Sequence, residues 1–303
     1  MNTFSSKTVS PAALGSASVF FSAAIWGLFW IPMRYFHEAG LDTMWGVAAI
    51  HVAAAMIAVP FAWYRADFRR KDVGWLMVIG SGMGLANVFY FSGLILSDVV
   101  RVTFLFYLLP IWATLFSRLF FNERMGPARA IAVVIALAGL WLLLGGGGWP
   151  VPRSLGDVFG ILAGMTWAFA LTMIRGKGEL GSFSTTAFNH VFAFLFAIAM
   201  GAILHSLVPE VQGPAPSAQT IEDEFLPVLA FGTLILWTTT LGQIWGAKFI
   251  AATSAALLTM SEILVAIVSA TTLGGESLPL AGWLGAGLIM TAVLVDLWGE
   301  YNG

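Results

Sequence analysis

Glu262 stands in the middle of a long apolar run, with Thr259, Ala266 and Ser269 on the same helical face. An ionised carboxylate at the centre of a bilayer costs about 2.5–3.5 kcal/mol on insertion scales, so it persists where it has a partner or a task. Three roles fit the residue type: contact for a substrate ammonium group, a carboxylate that couples transport to protons, or a hydrogen-bonding post that locks its helix to its neighbours. Other polar residues recur at helical spacing inside apolar runs. Thr103, Tyr107, Pro110, Thr114 and Ser117 fall on one face. Asn87 and Tyr90 share a face with Gly80 and Gly84, and Gly232, Thr239, Gln243 and Gly246 make a third, with Trp237 and Thr240 alongside. In hydrocarbon such stripes must turn to protein or to water, so the helices that carry them are expected to surround one cavity.

Aromatic rings supply a second kind of chemistry. Trp26, Trp30, Trp167 and Trp237 can stack on an aromatic or cationic substrate for about 0.5–2 kcal/mol each. Trp26 and Trp167 lie deep within their runs, and cavity lining and core packing are both open to them. Trp45, Trp63, Trp75, Trp149, Trp283 and Trp298 lie near run ends and read as interface anchors. His51, His190 and Asn189 read as buried hydrogen-bonding residues rather than a proton relay. The expected substrate-binding set is Trp26, Trp30, Asn87, Tyr90, Thr103, Tyr107, Trp167, Trp237, Gln243 and Glu262.

The elements that must position these side chains are membrane spans. Apolar residues make up 59% of the 303 positions and charged residues 10%, against roughly 45–50% and about 25% in soluble domains. A spanning helix needs about 20 mostly apolar residues. Ten such runs occur, near 18–36, 44–64, 73–96, 99–120, 128–146, 156–174, 185–207, 226–247, 250–272 and 280–298. The first is too long for a signal peptide and lacks a cleavage motif. The stretch Met1–Ala17 reads as a polar, loosely ordered tail. Pro32, Pro60 and Pro110 are expected to kink their helices. Gly80 with Gly84, and Gly160 with Gly164, have the four-residue spacing that lets helix backbones approach. Gly80 to Gly84 is no nucleotide loop, because it lies inside an apolar run rather than at a strand-to-helix turn.

The chain repeats itself. Trp26 and Arg34 recur as Trp167 and Arg175, displaced by 141 positions, and Gly93 and Glu123 recur as Gly246 and Glu276, displaced by 153. The polar, Pro-rich stretch Pro209 to Glu224 absorbs most of the extra 12. The division is a tail 1–17, a five-helix repeat 18–146, a linker 147–155 and a second repeat 156–303. Gly145 to Gly148 reads as flexible chain leading into the linker. Five spans per half, an odd number, set the second copy upside down relative to the first.

Lys and Arg orient the chain, because they resist translocation. With a cytoplasmic N-terminus, eleven lie on the inner side and Arg34, Arg101 and Arg153 on the outer. The longest loop, Leu207 to Phe225, then falls outside with Glu210, Glu222, Asp223 and Glu224. Ten spans return the C-terminus to the cytoplasmic side, in the inner membrane of the cell. Arg34 and Arg175 read as snorkelling to opposite interfaces. Glu123 and Glu276 read as structural carboxylates beside the following helix, with Pro127 suited to a first helical position.

Leu109-Pro110-Ile111-Trp112 followed by Phe121-Asn122-Glu123-Arg124, with Ser261-Glu262-Ile263-Leu264 followed by Gly275-Glu276-Ser277, resembles the paired signature of the EamA family in the drug/metabolite transporter superfamily. The likeness runs from about Ser18 to Trp298 and includes Trp26-Gly27. It implies an all-α, polytopic membrane protein of ten transmembrane helices in two inverted five-helix repeats. Within the family the chain is most similar to bacterial exporters of aromatic amino acids. It departs from the pattern at Ile263, where a proline is usual, and at Ser277, where an arginine is usual.

Together these readings indicate a secondary transporter. It is expected to export amino acids, aromatic or otherwise hydrophobic, and related small metabolites by alternating access through a cavity between the repeats. A membrane-embedded enzyme and a receptor or scaffold subunit are the alternatives. The sequence holds no His-Glu-x-x-His, Gly-x-Ser-x-Gly or paired-aspartate constellation, no P-loop, no cysteine and four histidines, so no enzymatic activity is assigned and no cofactor or metal is implied. A net charge of −2 without a basic cluster suggests no nucleic-acid partner. The partners implied are a small-molecule substrate and the lipid bilayer; proton coupling is left open.

Overall fold

A computed structural model describes residues 10–41, 43–65, 67–145, 151–273 and 277–302, with side chains to 299. Among the described residues nine helical segments are long and apolar enough to cross a membrane, and a tenth, Pro127–Leu143, is shorter. In chain order the spans are Pro11–Glu38, Thr43–Tyr64, Val73–Leu96, Val99–Phe121, Pro127–Leu143, Leu155–Gly176, Ser182–Leu207, Ala218–Ala247, Ala252–Thr272 and Leu280–Asn302. The chain is an all-α polytopic membrane protein built as two inverted five-helix repeats.

Two boundaries differ from the sequence reading. The first helix begins at Pro11, inside the stretch expected to be a loose tail. The Ser10 hydroxyl accepts from Ala13 N–H at 3.1 Å and Pro11 takes the first helical position, a start signal that the apolar count passes over. The acidic loop is likewise shorter than expected. Ser217 accepts from Thr220 N–H at 3.0 Å and starts the eighth span at Ala218, so Glu222, Asp223 and Glu224 lie inside the helix, past its first turn, rather than in the loop.

Three spans are broken mid-membrane. The first parts at Gly27–Phe29, the fourth at Tyr107–Leu108 and the ninth at Met260. Pro32 and Pro110 explain the first two, since each lacks an N–H and crowds the carbonyl four residues back. The displaced bonds shorten to three-residue turns, Ile31 N–H to Leu28 O at 3.1 Å and Ile111 N–H to Leu108 O at 2.9 Å. Pro60 breaks nothing, and its helix runs on to Tyr64. The ninth span breaks with Ile263 where a proline would sit. Its bend follows the first span instead: the Ser261 hydroxyl donates to Phe20 O at 3.0 Å, and a Cβ on Gly27 would fall 2.3 Å from Glu262 O. The eighth span contains one π-helical turn, Phe231–Leu236.

The repeats pack by exchange. The first span lies on the eighth, and their counterparts, the sixth and third, lie on each other. The fourth packs on the sixth as the ninth packs on the first, while the second with the seventh and the fifth with the tenth pair counterpart with counterpart. Glycine marks the closest crossings. A Cβ on Gly15 would meet Gly246 O at 2.8 Å, and one on Gly156 would meet Gly93 O at 2.9 Å; these are the same crossing in the two halves, at offsets of 141 and 153. Gly80 and Gly84 give the seventh span its approach to the third, and Gly160 and Gly164 give the sixth its approach to the fourth. The glycine cluster from Gly80 to Gly84 is helical throughout.

Candidate functional site

The three breaks converge on a cavity of about 640 Å³, within the roughly 300–1,000 Å³ usual for small-molecule sites. Trp26, Trp30, Asn87, Tyr90, Thr103, Tyr107, Trp167 and Glu262 all line it. Phe29, Phe91 and Phe106 add aromatic surface, and His51 borders it from the second span. Among the described residues Glu262 is the one carboxylate on the wall, and no lysine or arginine lines it.

Each wall residue is held by its neighbours. Glu262 occupies the first turn after the ninth-span break, and Tyr107, at the fourth-span break and almost fully buried, sits beside it. Trp26 and Trp167 meet at the repeat interface with ring centroids 5.4 Å apart, so the counterpart residues are direct neighbours. Trp26 Nε1 donates to Thr239 Oγ1 at 2.7 Å and Trp30 Nε1 to Ser269 Oγ at 3.0 Å. Trp167 Nε1 is buried without a partner. Tyr90 stacks at a tilt on Phe106, 4.7 Å away, and its hydroxyl lies 3.5 Å from Thr103 Oγ1. Asn87 donates to Met83 O at 2.9 Å, which leaves its amide oxygen toward the cavity.

Gln243 and Trp237 stand apart from this cavity, contrary to the expectation that the eighth span presents them to it. The glycine crossing with the first span turns the Gln243 face inward, where Nε2 donates to Thr259 Oγ1 at 3.0 Å. Trp237 faces the second span instead, 5.4 Å from the Phe61 ring. The fourth-span stripe is also divided by its break. Thr103 and Tyr107 reach the cavity, whereas Thr114 bonds Thr253 across 3.0 Å and Ser117 is buried in packing. His51 is the wall residue that helical spacing did not single out, because a lone histidine in an apolar helix carries no periodic signal.

The cavity extends toward one face of the molecule. Met33, Leu94, Val99, Leu144, Thr271 and Leu278 line it, and all lie at span ends opposite the face where the first span begins. Toward that other face it is closed by cross-links. Ser18 Oγ donates to Gly242 O at 2.7 Å, joining the repeats beneath the Trp26 to Thr239 bond. Farther out, the Lys248 ammonium donates to Leu180 O, and Arg175 Nη1 donates to Lys248 O at 2.8 Å. Burial holds the Lys248 ammonium below the ordinary lysine range, against the opposing pull of Asp67 and Glu179. Arg175 is thus tied to backbone rather than snorkelling freely, and Arg34 lies over the Trp30 ring at 4.9 Å. Where the sixth span starts beside the turn between the third and fourth, Asp157, fully buried, pairs with Arg101 at 2.5 Å and accepts a bond from Ser97 at 2.6 Å. Pro127 opens the fifth helix as expected; Glu276 and Trp149 lie outside the described residues.

A family model described as the EamA-like transporter family matches residues 13–145 and again 154–297. The chain belongs to the EamA-like transporter family. The two matches fall on the two five-span halves, so this EamA chain is a duplicated membrane transporter. It is 22% identical over 238 residues to the uncharacterized transporter YoaV of Bacillus subtilis (strain 168), covering 74% of this chain and 78% of that protein. It is 27% identical over 195 residues to the uncharacterized inner membrane transporter YedA of Escherichia coli (strain K12), covering 63% of this chain and 60% of that protein. A crystal structure superposes with a TM-score of 0.70 at 18% identity, over 93% of this chain and 95% of the other, and shows the fold.

Proposed function

We propose that this EamA-family transporter exports amino acids, aromatic or otherwise hydrophobic, and related amine-bearing small metabolites by alternating access. The observation that carries this reading is that, among the described residues, a single carboxylate, Glu262, is set in an aromatic wall with no lysine or arginine on it. An ammonium group is attracted both by the carboxylate and by ring faces, the latter for about 0.5–2 kcal/mol each. An apolar or aromatic body fills the remainder beside Trp26, Trp30 and Trp167. Asn87, Tyr90 and Thr103 provide uncharged hydrogen-bonding groups for a substrate carboxylate.

Binding at the break points gives a transport cycle. The cavity opens toward one face while the Ser18 to Gly242 and Trp26 to Thr239 bonds close the other; parting those bonds as the halves rock would reverse the access. The lysine and arginine distribution supports cytoplasmic termini, and on that orientation the present opening is outward, in the inner membrane. That is the state in which an exporter releases its cargo.

Purified protein in sealed liposomes tests the reading with radiolabelled phenylalanine and phenethylamine. Saturable flux of phenylalanine, competed by phenethylamine, is the expected result. Absence of saturable flux for both, in protein that retains its helical content, would remove the proposed substrate class.

A further inference from the structure

His51 of the second span and His190 of the seventh come from counterpart helices, and they meet at the interface between the repeats. Their Nδ1 atoms lie 3.0 Å apart, and both rings are almost fully buried. Two Nδ1 atoms at that distance share one proton, since a proton on each would leave both as donors and no acceptor. Beyond the pair the environment is unbalanced. His190 Nε2 is buried with no hydrogen-bond partner, and so is the neighbouring Asn189 Oδ1. His51 borders the central cavity while its Nδ1 is turned to His190, which leaves Nε2 as the ring nitrogen available to cavity water.

The two tautomers have distinct consequences. With the shared proton on His51, His190 carries an Nε2–H that no acceptor meets. With the proton on His190, its Nε2 is a buried lone pair that no donor meets. Either way one polar atom is stranded, and water reaching a parted pair would satisfy it. A proton arriving from the cavity at His51 Nε2 makes an imidazolium whose Nδ1–H still donates to His190 Nδ1. The added proton comes from hydronium, which is left as water, and no covalent bond within the chain breaks. Across from this positive charge no carboxylate adjoins either ring among the described residues. His190 faces His51; the third and fourth spans bring Tyr90 and Tyr107 to the same cavity, the ninth brings Glu262, and the eighth brings Leu236. A charge left without a counter-ion in such a place favours the arrangement that hydrates it.

We propose that His51 and His190 form a proton-binding site on the wall of the central cavity, and that adding one proton to the neutral pair favours the state in which the second and seventh spans part. The site ties proton entry to motion between the repeats without involving the Glu262 carboxylate that the proposed function sets against the substrate ammonium.

The chain has no cysteine, which allows spin labels at chosen positions. Trp63, at the end of the second span and 81% exposed, and Glu179, exposed just before the seventh, are replaced by cysteine and labelled, and the distance between them is read by double electron–electron resonance in nanodiscs. Lowering the pH from about 8 to about 5, the range over which histidine changes charge, is expected to populate a second, longer distance. The response is lost in His51→Gln and in His190→Gln and kept in Glu262→Gln. A distance distribution that ignores pH, or a response that survives His51→Gln, overturns the proposal. A second measurement needs no histidine variant: in ¹⁵N NMR of histidine-labelled protein, with four histidines in all, two rings are expected to titrate as a coupled pair. Independent titration of every ring overturns the proposal whatever the variants do.

Discussion

The two halves of the chain share a scaffold and differ at the cavity. Their glycine crossings match, Gly15 on Gly246 and Gly156 on Gly93, and so do the breaks of the fourth and ninth spans, since Tyr107 and Met260 are 153 positions apart. At the same offset Glu262 stands where the first half has Leu109, and Gln243 where the first half has Tyr90. At 141, Gly27 stands opposite Ala168; the first span breaks at Gly27, while the sixth runs unbroken through Ala168. Close backbone approach has therefore been kept twice, and polar chemistry once. Of the residues both halves retain, the glycines hold helices together and Trp26 and Trp167 meet on the cavity wall, while the wall carboxylate Glu262 has no acidic counterpart in the first half.

The largest effect is expected where the two halves differ in backbone. Gly27→Ala would drive a methyl group against Glu262 O and Ala266 N, which are backbone atoms with little freedom to move, and should cost about 1–3 kcal/mol. Ala168→Gly, its counterpart, should cost about 0.5–1 kcal/mol, the glycine penalty in a helix. Thermal unfolding in detergent decides between them, and equal losses would dissolve the distinction drawn here. Next comes Glu262→Gln. Losing a charge-assisted contact of about 1.5–3 kcal/mol should reduce flux of an amine-bearing substrate tenfold or more, at about 1.4 kcal/mol per tenfold; Leu109→Gln should not create a second such contact. Flux measured against external pH that is unchanged in Glu262→Gln would return that residue to the scaffold.

Gly15→Ala and Gly156→Ala sharpen the shared part. Both added methyls meet backbone oxygen at comparable range, 2.8 and 2.9 Å, so both variants should lose about 1–3 kcal/mol, within error of one another. A large difference in their unfolding temperatures would show that the crossing bears load on one side only. The smallest effect separates the paired tryptophans. Trp26→Phe gives up the bond to Thr239 and should cost about 0.5–1.5 kcal/mol, whereas Trp167→Phe removes an indole N–H that has no partner and should leave stability nearly unchanged.

The spans and their duplication could be read from hydropathy and from four recurring residues, because lipid demands long apolar helices and leaves few alternatives. Helix starts marked by a single polar cap were harder to read. Ser10 and Ser217 act through one hydrogen bond each, which a count of apolar residues does not register. Face assignment succeeded for Asn87, Tyr90 and Thr103, where helical spacing and cavity agree. It failed for Gln243, because periodicity says which residues share a face and not whether that face meets water or another helix. Trp237 failed similarly, drawn to Phe61 on the second span. His51 carried no spacing signal at all; only the approach of the seventh span gives it meaning.

Gly139 and Gly285 lie on the fifth and tenth spans, where counterpart meets counterpart, and each would push its Cβ into the other's carbonyl oxygen, at 2.7 and 2.5 Å. An interface in which a surface binds its own equivalent is isologous, the arrangement of a two-fold dimer. Recognition between the halves is therefore written into each half separately, and the peptide that joins them contributes effective concentration rather than specificity.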